Sequence, residues 1–213
     1  MTDRETISFE FKNYDVGGKH FRLTYTDTHV SLNDIGLAFS DLRATRFAVY
    51  PPFKSRGWTF WLELLSHSKE KIKVEFHCGR LMKQNLEQRM ALWQNIMHVN
   101  RERVLHPMVV AAIDKIRSGG IYSVGRVGVS SEGVNLRVRR RLLFNRVVFI
   151  SWQNVLKREQ DDWLYLSSSV ERSVAASCSP MVWNAVVLRS LLDYLWQDER
   201  LAELKLSHSL ANS

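Results

Sequence analysis

The chain has 213 residues, 45% of them hydrophobic and 24% charged, a globular composition that excludes wholesale disorder or a fibrous repeat. It holds no run of 18 uncharged apolar residues and its first residues lack a basic and apolar export signal, so neither a membrane span nor secretion is expected and a cytoplasmic location is. The net charge of +8 is shared, with 18 basic against 13 acidic residues in 1–118 and 12 against 9 in 119–213, so the whole chain attracts polyanions weakly.

The first half opens with alternating segments. Ile7, Phe9 and Phe11 share one side of a strand, and Phe21, Leu23 and Tyr25 share one side of the next. A turn at Thr26-Asp27-Thr28-His29 leads into Val30-Ser31-Leu32, because Asp and Thr side chains bond locally to a turning backbone. Further strands are predicted over 37–42, 45–50, 58–65 and 71–78, about seven in all, the fifth closed by Pro51-Pro52. The period then changes. Leu86, Met90, Trp93 and Met97 recur at helical spacing from near Met82, and a second helix runs from Pro107 to Ile116 and stops at Gly119-Gly120. That second helix reads as apolar nearly all round, suiting either a seam between two units or a homodimer contact.

Past the glycines the pattern returns. Strands are predicted over 121–129, 134–138, 147–152, 163–166 and 170–178, with a turn at Ser130-Ser131-Glu132-Gly133. Pro180 then opens a helix whose Leu188, Leu191, Leu192 and Leu195 share a face. The halves align in short pieces. Thr28–Leu32 matches Glu132–Leu136, Trp61-Leu62-Glu63-Leu64 matches Trp163-Leu164-Tyr165-Leu166, Cys78 matches Cys178, and Asn100–Val104 matches Gln197–Leu201. A duplicated unit of about 100 residues explains the slowly drifting offsets; one larger α+β domain is the alternative.

Many short antiparallel strands followed by one amphipathic helix resemble the pleckstrin-homology-like (PH-like) fold, and the bacterial PH-like domains in particular. Gly133-Val134-Asn135-Leu136 looks like their turn-to-strand motif, and Phe149–Val155 like their Ile-Pro-Trp stretch, with Ser151 where proline is common. The resemblance implies an α+β fold of two tandem PH-like, partly open antiparallel β-barrels, each capped by a C-terminal amphipathic helix. Repeat 1 would span 1–104, a connecting helix 105–118 and repeat 2 119–213. It speaks for fold and hardly for ligand.

The strongest local signal is Arg137–Arg146, five arginines in ten residues without an acid. In a register that buries Val134, Leu136 and Val138, the residues Arg137, Arg139 and Arg141 point outward together, and with Arg140 and Arg146 they form an anion-binding candidate. Leu142, Leu143 and Phe144 are its membrane-tip candidates; a solvated strand face is the plain alternative. Tyr50, Phe53, Trp58 and Phe60 form an aromatic protein-binding candidate, against a loop folded back on the barrel.

The seven histidines and two cysteines form no metal-ligand spacing, and no Gly-rich phosphate loop, dinucleotide fingerprint or nucleophile elbow is present. The expectation is a non-enzymatic adaptor without cofactor or small-molecule substrate, monomeric or homodimeric. Its partners are protein first; peripheral binding to anionic lipid, or to nucleic-acid phosphate, through the arginine segment is the alternative.

Overall fold

The computed structural model describes residues 6–13, 19–50, 57–78, 83–140 and 144–196; within these, the side chains of 12, 13, 19, 78, 83–85, 139, 140, 144 and 145 lie outside the described set. The chain divides into two compact units, 1–107 and 108–213. Its class is α+β, and every described strand pair is antiparallel.

In the first unit β1 (Ile7–Asn13), β2 (Lys19–Tyr25), β3 (His29–Leu32) and β4 (Ile35–Ala38) form a four-stranded sheet in sequence order. A 3₁₀ turn, Phe39–Asp41, leads to a three-stranded sheet of β5 (Leu42–Tyr50), β6 (Trp58–Ser66) and β7 (Lys71–Cys78). Alternation works as the sequence predicts: Leu23, Tyr25, Val30, Phe60, Leu62, Leu64, Val74 and Phe76 are fully buried on the inward faces. Helix α1 (Lys83–Asn100) buries Trp93, Ile96 and Val99, while Leu86, Met90 and Met97 of the predicted stripe are only half-buried. Trp93 packs against Phe60 at 5.7 Å between ring centres. The buried Tyr25 hydroxyl donates to Asn100 Oδ1 at 3.5 Å, and burial holds its pKa above the ordinary tyrosine value.

The sequence leads one to expect a helix break before Pro107, and the structure replaces it with a π turn. Arg101–Leu105 is π-helical and passes directly into α2 (His106–Arg117). In an unbroken α-helix the Pro107 ring would meet the carbonyl of Arg103, and the wider turn immediately before it relieves that clash. Nor is α2 apolar all round: Val109, Ala112, Ile113 and Ile116 are buried on one face, with Val110, Asp114 and Lys115 exposed. It ends at the predicted glycines. Gly119, at φ 82°, donates its N–H to Ile116 and Gly120 donates to Lys115, the paired bonds of a Schellman cap.

The second unit has the same plan. The strands β8 (Tyr122–Val124), β9 (Val127–Val129), β10 (Gly133–Arg140) and β11 (Phe144–Ser151) form a four-stranded sheet, and Trp152–Asn154 is a 3₁₀ turn. Three strands follow, β12 (Val155–Gln160), β13 (Trp163–Ser168) and β14 (Ala175–Cys178), then α3 (Ala185–Leu195). The predicted strand 121–129 is therefore two, turned at Gly125 (φ 57°). Helix α3 starts later than Pro180, after a turn in which Asn184 takes φ 63°. Its Leu188, Leu191, Leu192 and Leu195 are fully buried, as their spacing predicts, whereas Trp196 is 37% exposed and meets Trp152 edge-on. In neither unit do the two sheets join into one hydrogen-bonded barrel among the described residues.

Main-chain hydrogen bonds recur between the units at the aligned positions. The Thr26 N–H donates to the His29 carbonyl at 2.9 Å, and Ser130 N–H to Gly133 at 2.9 Å. Asn33 N–H donates to Arg22, and Arg137 N–H to Arg126, both at 2.8 Å. The buried Ser66 and Ser168 each cap the turn that follows them, their Oγ atoms accepting from Glu70 N–H at 3.0 Å and from Val170 and Glu171 N–H at 3.1 Å. These turns are held by local polar bonds, which is why short sequence matches mark them.

β12 escapes the sequence reading for a physical reason: beyond the buried Val155 its inward side is ionic rather than apolar. Lys157 bonds Glu159 and the α3 residue Asp193, and Arg189 of α3 donates to Glu159 through Nε at 2.7 Å. Arg189 holds the Glu159 carboxyl below its ordinary range; burial opposes this, and Lys157 adds to it. A carboxyl lowered in the folded state contributes stability above its unfolded pKa and loses it as pH falls through the folded value. Glu159→Gln is therefore expected to lower the urea midpoint at about pH 7 and to flatten its decline below about pH 4. An unaltered decline would mean the network does not tie β12 to α3.

A candidate binding face on the second unit

Inward residues of the β12–β14 sheet, Val155, Leu164, Leu166, Ala176 and Cys178, are buried. The alternate residues form the outer face: Leu156, Arg158 and Gln160 on β12, Trp163, Tyr165 and Ser167 on β13, Ala175 and Ser177 on β14. Leu156 is 54% exposed and Trp163 and Tyr165 are each 39% exposed. The two aromatic rings stand 6.3 Å apart between centres and 25° from parallel. Register places Arg158 directly opposite Tyr165, and Tyr165 opposite Ser177. Asp161 and Asp162 form the hairpin turn, both at positive φ, with Asp162 facing Arg189 at 3.6 Å.

A shallow trough of about 520 Å³ runs over this face between Leu156, Arg158, Tyr165 and Arg126. A smaller one of about 280 Å³ lies on the outer side of the four-stranded sheet, between Ile121, Asn135, Arg137 and Val147, and Arg126 borders it too. Gly128 forms part of its floor, where a Cβ would come within 3.0 Å of Ile121. Among the described residues, three arginines and no carboxylate line these troughs. Arg158 bonds the Gln160 side-chain oxygen.

The first unit gives the comparison. At the same register Arg46 lies opposite Glu63, the match of Tyr165. Arg46 donates to Glu63 through Nε at 2.8 Å and Nη2 at 2.6 Å, and Lys71 reaches the other oxygen at 3.2 Å. The Arg46 guanidinium also covers the Trp61 ring at 4.8 Å, and Trp61 is buried where its match Trp163 is exposed. One unit thus neutralises this arginine with its own carboxylate, and the other sets a tyrosine there.

Of the sequence-predicted anion site, Arg137 is exposed on β10 between buried Leu136 and half-buried Val138, as expected, and faces outward beside Val147. Arg146 is a correction. It lies directly opposite Val138, and opposed residues of a ladder share a face, so it sits on the other side of the sheet from Arg137. The side chains of Arg139, Arg140 and Phe144, and the whole of Arg141, Leu142 and Leu143, lie outside the described residues. The aromatic candidate also divides. Phe60 is fully buried between Phe76 and Trp93, not exposed; Trp58 is half-buried; Tyr50, opposite Thr59, is 37% exposed on the opposite face of the sheet from Phe60. Phe53 lies outside the described residues.

Sequence reasoning missed Arg126, Arg158, Trp163 and Tyr165 as site residues. The signal was the alternation Trp163-Leu164-Tyr165-Leu166, whose leucines face the core and therefore send both aromatics outward. Cys178 is buried, and burial pushes its thiol up to about 11, as expected of a packed thiol. Among the described residues no His, Cys, Asp and Glu side chains gather to hold a metal ion, and no helix is long and apolar enough to cross a membrane. The chain matches no protein-family model, no curated protein and no solved structure.

Proposed function

We propose that this protein is a non-enzymatic binding module of two PH-like units, the second of which presents a face for an anionic partner. The PH-like reading is supported by the plan of each unit: a four-stranded and a three-stranded antiparallel sheet followed by a helix, with turn hydrogen bonds repeated at aligned positions. The observation that carries the binding reading is Arg158, which faces Tyr165 where Arg46 faces Glu63. An arginine whose carboxylate has been replaced by an aromatic ring is available to an external anion. Exposure supports the same unit: among the described residues, ten large apolar side chains are exposed in 108–213 and two in 1–107. A partner protein, the first expectation from sequence, would meet this face through an acidic segment.

Elution from an immobilised sulfated polysaccharide tests the reading while allowing for the general charge of +8. Arg126→Glu with Arg158→Glu should elute at much lower salt. Arg101→Glu, on the exposed surface of the π turn, removes a positive charge elsewhere and should shift elution little. Equal shifts per charge would mean that net charge, and not this face, does the binding.

A further inference from the structure

Resting on that reading, we infer that the anionic partner is single-stranded nucleic acid, its bases stacked on Trp163 and Tyr165 and its phosphates held by Arg126, Arg137 and Arg158. Three observations converge. Two aromatic side chains alternate outward along one strand, nearly parallel and each 39% exposed, so each offers a flat ring on a rigid sheet. Arginines line the troughs beside them without a carboxylate among the described residues, and Arg126 borders both troughs, so the cationic surface is continuous. Gln160 and Ser177 line the larger trough with Tyr165, and Asn135 lines the smaller one, and these side chains can donate to and accept from base edges.

This mixture selects among polyanions. An acidic peptide satisfies the arginines but brings no ring to stack at every residue. A lipid surface supplies phosphate, yet would have to desolvate the serines and glutamine beside the aromatics. A duplex offers phosphates while keeping its base faces stacked inside. Only an unpaired strand presents phosphate and bare base faces at each step, and base–aromatic stacking combined with a cationic groove is the chemistry that binds it. The shallow, open form of the larger trough suits a strand laid across the three-stranded sheet, and Arg126 leads from there to the smaller trough on the four-stranded sheet.

The first unit also supplies the discriminating variant. Tyr165→Glu recreates in the second unit the pairing that Arg46 and Glu63 make in the first, so it is compatible with this sheet while it neutralises Arg158 and removes a ring. The full-length chain is titrated into fluorescently labelled oligothymidylate and a mixed-sequence RNA oligomer, read by anisotropy, with circular dichroism and melting confirming that each variant is folded.

The expected result is binding whose logarithm falls with log salt at a slope of about −2, three phosphates at roughly 0.7 each for a single strand. Tyr165→Glu abolishes it, Trp163→Ala weakens it about fivefold to a hundredfold, and Tyr165→Phe retains it, as stacking requires. A duplex of equal length competes poorly. Equal competition by duplex, or unchanged binding by folded Tyr165→Glu, overturns the inference. If the oligomers fail but polyglutamate or phosphatidylserine vesicles bind and are lost with Tyr165→Glu, the anionic face stands and the nucleic-acid assignment falls. If none of these polyanions binds, both fall.

Discussion

Leu191→Asp should unfold the second unit. Leu191 is fully buried in α3 among Leu188, Leu192 and Leu195, which face the sheets as one apolar stripe. The substitution removes about 2 to 3 kcal/mol of side-chain burial. It also buries a carboxyl, and the cations of the ion network at this helix, Lys157 and Arg189, are already held by Glu159, Asp193 and Asp162. The group must stay protonated or draw in water, at several kcal/mol more, against a domain stability of about 5 to 15 kcal/mol. Urea unfolding followed by circular dichroism and tryptophan emission should show part of the signal lost before denaturant is added. Leu191→Ala, with the cavity but no charge, should cost about 2 to 5 kcal/mol and remain folded. A Leu191→Asp protein that unfolds at the parental midpoint would show that α3 is not the cover of this core. The same change at Leu92 of α1 is a weaker test of the first unit because Leu92 is only half-buried.

How far the fold is legible depends on which force builds each element. Where burial does the work the pattern speaks plainly: the first unit has seven strands as expected, although the fourth is Ile35–Ala38 and not 37–42, where Phe39–Asp41 makes a 3₁₀ turn, and the leucines of α3 lie where their spacing puts them. Where polar chemistry does the work it falls silent. β12 carries Lys157 and Glu159 inward, so no apolar period marks it, and its partners lie some thirty residues away on α3. A π turn leaves no compositional trace beyond Pro107, whose missing N–H reads equally well as the start of a helix.

The same distinction governs the candidate face. A run of arginines is conspicuous in text, but register divides it, sending Arg137 outward and Arg146 to the other side. Arg126 and Arg158 are unremarkable in text and become neighbours of one trough because a hairpin turn and an edge strand bring them there. The most informative contrast was already visible in the aligned pair Trp61-Leu62-Glu63-Leu64 and Trp163-Leu164-Tyr165-Leu166. What the text could not show was that Glu63 neutralises an arginine, which alone gives the tyrosine at the matching position its meaning.

Phe60→Ala should cost the first unit about 3 to 5 kcal/mol, the range for emptying a large aromatic site in a packed core. Phe60 has no solvent exposure; its ring stacks on Phe76 at 4.9 Å and meets Trp93 at 5.7 Å, while Phe76 in turn packs on Phe11 at 5.5 Å. The cluster joins β1, β6, β7 and α1, so one truncation loosens both sheets and the helix together, and aromatic pairs add about 0.5 to 1.5 kcal/mol each beyond the area they bury. A residue serving a docking loop would behave otherwise, since its removal weakens a partner and leaves the melting curve unmoved. Tyr50→Ala supplies that contrast within the same sheet: the ring is 37% exposed, and its loss should stay near the small values typical of surface sites. A destabilisation as small for Phe60 as for Tyr50 would return Phe60 to the surface and remove the aromatic cluster as the link between the sheets and α1.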